Sequence, residues 1–352
     1  MKYIALIINI SVCIVTLGCY AAPYVEPSQA VIFPVLSVMT PYVLGANFLC
    51  LLYWILFPSK YFWIPVITLL LGFSTFKRHF NFFQSGVKVE EKSLPVTISS
   101  VNINSGQYLR VDRNNLDSKK MASLRHWTNL QADTDIICTQ EKRYFGQVML
   151  DSMLSKEFTR HGNDTIGTGI YTRHSMLNKG FIDVGGNTHY VAWADIQLST
   201  DVVVRVYSMH GSSNMISSKS KELIKESNLK SPALMSEIKG LFANYARYAS
   251  QRNSQYDRLE NHISQSPYPV ILAGDMNDVP QSYLYQRLTK RLNDAFNSKG
   301  KGIGATYRAL PGLRIDYIFA DDQLVPQKFL VDRVDISDHY PVRAQFFIQV
   351  KQ

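Results

Sequence analysis

Cysteine is scarce in this sequence and nowhere paired. Of four, Cys13, Cys19 and Cys50 fall in apolar runs, and only Cys138 lies beyond them, inside a strand-like run. No C-x-x-C spacing occurs, so a zinc–sulfur centre and a disulfide scaffold are both excluded. Internal repeats and low-complexity tracts are also missing, which excludes a repeat architecture. Charge is absent from residues 4–22 (IALIINISVCIVTLGCYAA) and 31–57 (VIFPVLSVMTPYVLGANFLCLLYWILF). A helix needs about 20 apolar residues to cross the hydrocarbon core, and both runs reach or approach that. A third run, 61–76 (YFWIPVITLLLGFSTF), is shorter and reads as a thin or partly re-entrant span. Tyr53, Trp54, Tyr61, Phe62 and Trp63 around Lys60 have the character of an interfacial aromatic belt.

Residues 1–82 are therefore expected to form a membrane region with two to three helices. A cleaved signal peptide over residues 1–21 is the competing reading, with small residues Cys19 and Ala21 near the cut. The tetrad TLGC is also faintly like a lipoprotein box, although Thr16 stands where leucine is usual. Orientation rests on few charges. Lys2 and Lys60 on the inner side would put the C-terminal part outside, whereas Lys77 and Arg78 argue the reverse. The outside is favoured.

Charge of both signs returns after residue 82. The whole chain carries a formal +9, of which residues 1–82 supply +3 (Lys2, Lys60, Lys77, Arg78 against Glu26), leaving +6 for the remainder. Such a balance suits anionic partners, or simply solubility. Residues 83–94 read as a linker and 95–352 as one α/β domain. Its β-rich runs are 95–103, 134–141, 168–173, 189–199, 202–210, 268–275, 314–320 and 342–350. Helical spacing is clearest over 234–263, where Leu234, Ile238, Leu241, Phe242, Tyr245, Ala249, Leu259 and Ile263 recur at three- and four-residue steps. Paired sheets inside and helices outside are the expected layering.

Several of those runs end in the same kind of residue. Asn102, Glu141, His210 and Asp275 close strands, Asn277 follows the last, and Asp338 and His339 precede the final strand. Taken singly, an asparagine is a turn former, a glutamate is solvated, and a histidine more often packs than catalyses. Together they form an oxygen-rich set without cysteine, suited to a hard divalent cation, Mg²⁺ above all with Mn²⁺ as an alternative. Histidines beside carboxylates add proton transfer and positive charge for an anionic transition state. Phosphoester hydrolysis needs that combination.

At these residues the sequence resembles the endonuclease/exonuclease/phosphatase superfamily, the DNase-I-like fold. SSVNI, DIICTQE, TGIYTR, VYSMHGSS, PVILAGDMNDVPQS, RIDYIF and SDHYPV occur in the family's order over roughly residues 95–350. The resemblance implies a four-layer α/β sandwich, two packed β-sheets flanked by helices, with the site where the strands end. By position it implies Glu141 as the metal ligand, helped by Asn102 and Asp338. Asp275 would orient and deprotonate water with Asn277 beside it, and His339, oriented by Asp316, would contact the scissile phosphate. His210 would bind a phosphate oxygen or serve the leaving group. Two departures stand out: Ser208-Met209-His210-Gly211 replaces an N-x-H-L pattern, and HYVAWADI offers no evident carboxylate partner for His210.

Substrate is less defined. A phosphodiesterase acting on nucleic acid fits the basic balance, and a lipid-head-group hydrolase of sphingomyelinase or phosphoinositide phosphatase type fits the anchor. A non-catalytic membrane module is the outsider, and no protein partner is evident. The apolar N-terminus is similar to that of membrane-anchored bacterial members, implying the inner membrane. Lys219, Lys221, Lys225 and Lys230 could meet phosphates, or form a solvated helix face with Glu222 and Glu226.

Overall fold

The computed structural model describes residues 2–82, 93–112, 115–142, 145–154, 156–162, 167–186, 190–213 and 232–349. The four lysines between 219 and 230 and most of the expected linker fall outside these. Contacts divide the chain into two units. The first comprises Met1–His79, Ser212–Asn253 and Asp278–Arg287, and the second Phe80–Gly211, Ser254–Asn277 and Leu288–Gln352.

In the first unit, the apolar runs form helices α1 (Lys2–Ala21), α2 (Ile32–Leu56), α3 (Trp63–Leu71) and α4 (Phe73–His79). Two helical stretches, Lys2–Tyr24 and Ile32–Leu56, are long and apolar enough to cross a membrane, with mean hydropathy of 2.2 and 1.8. The third run is too short for this, because Gly72 separates α3 from α4. Its Thr68 nevertheless joins a buried polar seam. Thr68 Oγ1 donates to Cys13 Sγ at 3.3 Å, Cys13 Sγ donates to Asn47 Oδ1 at 3.5 Å, and Asn47 Nδ2 donates to Thr16 Oγ1. These bonds tie α1, α2 and α3 to one another. Two further bonds reach the segment Asp278–Arg287 of this unit. Gln281 Nε2 donates to Cys19 O at 3.0 Å, and Arg78 Nη2 to Gln286 Oε1 at 2.7 Å.

The second unit is built on strands β1 (Phe80–Asn81), β2 (Ser93–Asn102), β3 (Ile136–Gln140), β4 (Thr159–Gly162), β5 (Gly169–Thr172), β6 (Ser175–Asp183) and β7 (Tyr190–Ser199). They continue with β8 (Val202–His210), β9 (Val270–Asp275), β10 (Asn293–Asp294), β11 (Gly302–Ile303), β12 (Asp316–Ala320), β13 (Leu324–Val331) and β14 (Val342–Gln349). β1 and β11 pair with each other, and the other twelve form two mixed six-stranded sheets, ordered β13-β14-β2-β3-β5-β4 and β10-β12-β9-β8-β7-β6. The period-two alternation of each strand serves two faces. Val96 and Ile98 of β2 meet Ala194, Val206, Ile271 and Ile318 between the sheets. Val101 and Ile137 point the other way, onto Leu124 and Trp127 of α5 (Ser118–Asn129) and Leu150 of α6 (Phe145–Leu154). On the far face of the second sheet, Tyr207 bonds His262 Nδ1 at 2.8 Å, near the end of the long helix α7 (Pro232–Ser264).

Each sheet holds one parallel pair, β2 with β3 and β8 with β9, amid antiparallel neighbours. Parallel strands end together. The registers Asn102↔Gln140 and His210↔Asp275 therefore set four chain ends side by side, and antiparallel β12 starts there with Asp316 opposite Asp275. A buried polar link ties the sheets just beneath these ends. Gln140 Nε2 donates to Ser208 Oγ at 3.2 Å, and Ser208 Oγ donates across to Thr139 O at 3.1 Å. Ser208, which departs from the N-x-H-L pattern, carries this link.

Gly274 is fixed by a different constraint. With φ at +151°, a Cβ there would lie 1.9 Å from the Met209 carbonyl oxygen. Gly274→Ala must push β8 and β9 apart, an overpacking cost of about 3 kcal/mol. The expected outcome is a melting temperature lower by about 5 °C, measured by calorimetry; an unchanged transition would contradict this packing.

Candidate active site

The strand ends deliver their side chains to one point. Asp275 is fully buried, and its carboxylate is held by three amide donors. Asn277 N–H donates to Oδ1 at 2.8 Å, while Asn102 Nδ2 and Asn277 Nδ2 donate to Oδ2 at 2.9 and 3.2 Å. His210 Nε2 lies 3.7 Å and His339 Nε2 3.8 Å from the same Oδ2. Glu141 Oε1 accepts from Asn102 Nδ2 at 3.1 Å and lies 3.4 Å from His210 Nε2. Behind His339, Asp316 meets Nδ1 at 3.0 Å, so the ring presents Nε2 to Asp275.

The backbone is bent to achieve this. Glu141 and Asn277 adopt φ of +50° and +51°, a region that non-glycine residues rarely occupy and that concentrates at functional sites. The bends are secured locally. Ser105 N–H donates to Glu141 O at 2.7 Å, and Asn277 bonds the Asp275 carboxylate two residues back. Gly211, which stands where the N-x-H-L pattern has leucine, is also held: its N–H donates to Asp275 O at 2.8 Å and its carbonyl accepts from Asn277 Nδ2 at 3.1 Å. The carboxylate near His210 comes instead from Glu141. Asp195, the carboxylate of HYVAWADI, is taken by Arg205 at 2.6 and 2.8 Å.

Asp338 stands at the margin. Its Oδ1 accepts from Asn104 Nδ2 at 3.0 Å and from Ser337 Oγ at 3.2 Å. It belongs to neither of the metal-capable clusters found among the described residues, which are Glu141 with His210 and Asp275, and Asp275 with Asp316 and His339. Asn102 offers Nδ2 to the carboxylates while its Oδ1 accepts from Asn104 N–H at 2.9 Å. Other groups had no motif to reveal them. Tyr307 bridges His339 through the backbone and lays its ring 5.1 Å from the imidazole. Thr306 Oγ1 accepts from the Asp316 N–H at 3.1 Å, and Gln140 carries the cross-sheet link. Only their closeness in sequence to named motifs was visible.

Electrostatics follow from burial. Loss of water raises the Asp275 carboxyl from 3.8 to about 6, with Asp316 adding to the rise and the two imidazoles opposing it. Burial alone would lower His339, but the Asp316 and Asp275 carboxylates overcome it and raise the imidazole from 6.5 to about 10.

The donor atoms of each cluster lie within 4.8 Å of one another. His210 Nε2 is buried and makes no hydrogen bond, a donor set left open toward Glu141 and Asp275. Hard oxygens with one or two imidazoles fit Mg²⁺ or Mn²⁺. Such a site, at strand ends of two packed mixed sheets, is that of a metal-dependent phosphoester hydrolase.

Comparison with known proteins agrees. The chain belongs to the Endonuclease/Exonuclease/phosphatase family, whose model matches residues 99–339. A domain of unknown function matches residues 2–79. No match is found among curated proteins. Among solved structures, the endonuclease/exonuclease/phosphatase from Bacteroides vulgatus is 16% identical with a TM-score of 0.53, covering 73% of this chain and 100% of that one. A functionally unknown conserved protein from Enterococcus faecalis V583 is 16% identical with a TM-score of 0.51, covering 72% and 100%. TDP2 of D. rerio, complexed with single strand DNA product, is 16% identical with a TM-score of 0.50, covering 72% and 98%. At these identities the likeness is one of fold.

The His339–Asp316 pair sets a pH signature. A group raised in the folded state contributes stability fully below its unfolded value of 6.5, and loses it as pH rises through about 10. In Asp316→Asn, the His339 imidazole should titrate far closer to 6.5 by NMR, and the loss of stability should move to lower pH with it. An unshifted imidazole would show that Asp316 does not hold it.

Proposed function

We propose that the chain is a membrane-anchored Mg²⁺-dependent phosphodiesterase. The observation that carries this reading is the convergence of Glu141, His210, Asp275 and the Asp316–His339 pair from both sheets on one point. Residues 1–82 serve as the anchor, 83–94 as the connection and 95–352 as the hydrolytic part. The location that fits is the bacterial inner membrane with the hydrolytic part outside the cytoplasm.

Roles follow from position. Asp275, held by Asn102 and Asn277, orients a water and accepts its proton as the oxygen attacks phosphorus. The raised pKa makes it a better base than a solvated aspartate. His339, charged through its contact with Asp316, faces the phosphate oxygens and balances the charge that builds on them. His210 serves a phosphate oxygen or the leaving alcohol, so the ester P–O bond breaks as the water's oxygen bonds to phosphorus. Glu141 would hold the cation, which when bound supplies Lewis-acid stabilisation of the phosphoryl group, while Asn102 turns its amide donor to the carboxylates and Asp338 stands back at the margin.

A feature beside the site favours nucleic acid. Lys120, Arg308 and Arg333 alternate with the rings of Tyr108 and Tyr340 at 4.1 to 5.3 Å. Rings interleaved with cations suit bases and phosphates of a single strand, and the D. rerio relative is described with single strand DNA product. The two long apolar helices favour the second reading, a lipid-head-group hydrolase.

Hydrolysis of a bis-aryl phosphate should need Mg²⁺ or Mn²⁺ and vanish with EDTA, and Glu141→Gln should raise the metal concentration required. Full activity after exhaustive chelation would sink this reading. DNA, RNA and phospholipid vesicles assayed in parallel then decide the substrate.

A further inference from the structure

We infer that Arg252 is a positioning residue for the hydrolytic centre, an inference that rests on the proposed phosphoesterase reading. Strand pairing fixes β8 and β9 only as far as His210 opposite Asp275. Beyond that register the two chains leave the sheet, and another device must hold them. The bonds from Gly211 to Asp275 and from Asn277 to Gly211 carry the alignment one step further. Arg252 carries it to the next residues.

Its guanidinium is fully buried in α7 and bonds two separate segments. Nε donates to Asp278 Oδ2 at 3.1 Å, and Nη1 donates to Ser212 O at 3.0 Å. Ser212 is the second residue after His210, and Asp278 is the residue after Asn277. One planar fork thus fixes the chain just beyond the histidine and just beyond the aspartate–asparagine pair. Tyr245, seven residues earlier on the same helix face, completes the arrangement. Its hydroxyl donates to Asp278 Oδ1 at 3.2 Å, and its ring lies 5.3 Å from the guanidinium.

A charge of this kind is costly to bury, and packed apolar residues would stabilise the fold as well. What they could not do is hold two loops at a fixed angle. Lysine keeps the charge but lacks the rigid fork. Arg252 touches no reacting atom. It acts by keeping the His210 imidazole and the Asp275 carboxylate at their working separation of 3.7 Å.

The test uses the full-length protein in detergent micelles, with bis(p-nitrophenyl) phosphate as substrate and saturating Mg²⁺. Arg252→Lys and Asp278→Asn should each lower kcat by about ten- to a hundredfold, as a misplacement of catalytic groups does. KM should change less than about twofold. The double variant should be no slower than the slower single one, because both changes break one device. Should Arg252→Lys fail to fold, Asp278→Asn, which keeps the side chain's size but removes the charge shared by Arg252 and Tyr245, carries the same measurement. Normal kcat per folded molecule with only a lower melting temperature would make the clamp merely structural and overturn the inference. A wild-type protein that hydrolyses nothing with Mg²⁺ would instead bring down the phosphoesterase reading, and this inference with it.

Discussion

Asp275 carries its carboxylate where water does not reach, and the surrounding site depends on making that tolerable. An isolated buried charge costs far more than a domain's net stability. Here three amide donors share the carboxylate, and two imidazoles face it. Asn277 follows Asp275 on the same chain, but Asn102, His210 and His339 arrive from other segments of both sheets, so the full set of partners forms only when the sheets are correctly paired. Fold and chemistry are coupled at this residue. The same burial that threatens stability raises the carboxyl to about 6, which keeps it basic enough to take a proton near neutrality.

The parallel pairs make the convergence possible. In an antiparallel sheet, successive strand ends point in opposite directions, and four ends could not meet. One parallel pair per sheet places Asn102 beside Gln140 and His210 beside Asp275, and the Gln140–Ser208 bond locks the pairs together. Gly274 lets β9 approach β8 closely enough for that register. The left-handed turns at Glu141 and Asn277 then aim the side chains.

Much of this was legible in the sequence because strand ends with chemistry stand out against apolar runs. All eight expected strand runs correspond to observed strands, and the 234–263 periodicity lies within α7. The elements not anticipated had weaker patterns. β13 contains Pro326 and a register shift beside it, tolerable because it is an edge strand. β6 is also an edge strand, mostly exposed, and lacks a clean alternation. The expected site residues Asn102, Glu141, His210, Asp275, Asn277, Asp316 and His339 come together, whereas Asp338 bonds Asn104 at the margin. Tyr307, Thr306 and Gln140 act through tertiary pairing, which no local spacing encodes. The grouping of Ser212–Asn253 and Asp278–Arg287 with the N-terminal helices was equally hidden, since contacts between segments so far apart in sequence leave no local pattern.

In the proposed reaction, the burial of Asp275 serves its chemistry at a cost to the fold. The measurement that tests it most directly pairs the turnover of Asp275→Asn with its melting temperature, both in saturating Mg²⁺. A general base contributes about 10²–10⁴-fold, so a loss of that order in kcat is expected, with a transition at or above the wild-type temperature. Near-normal turnover per folded molecule, together with a sharply lower melting temperature, would contradict it.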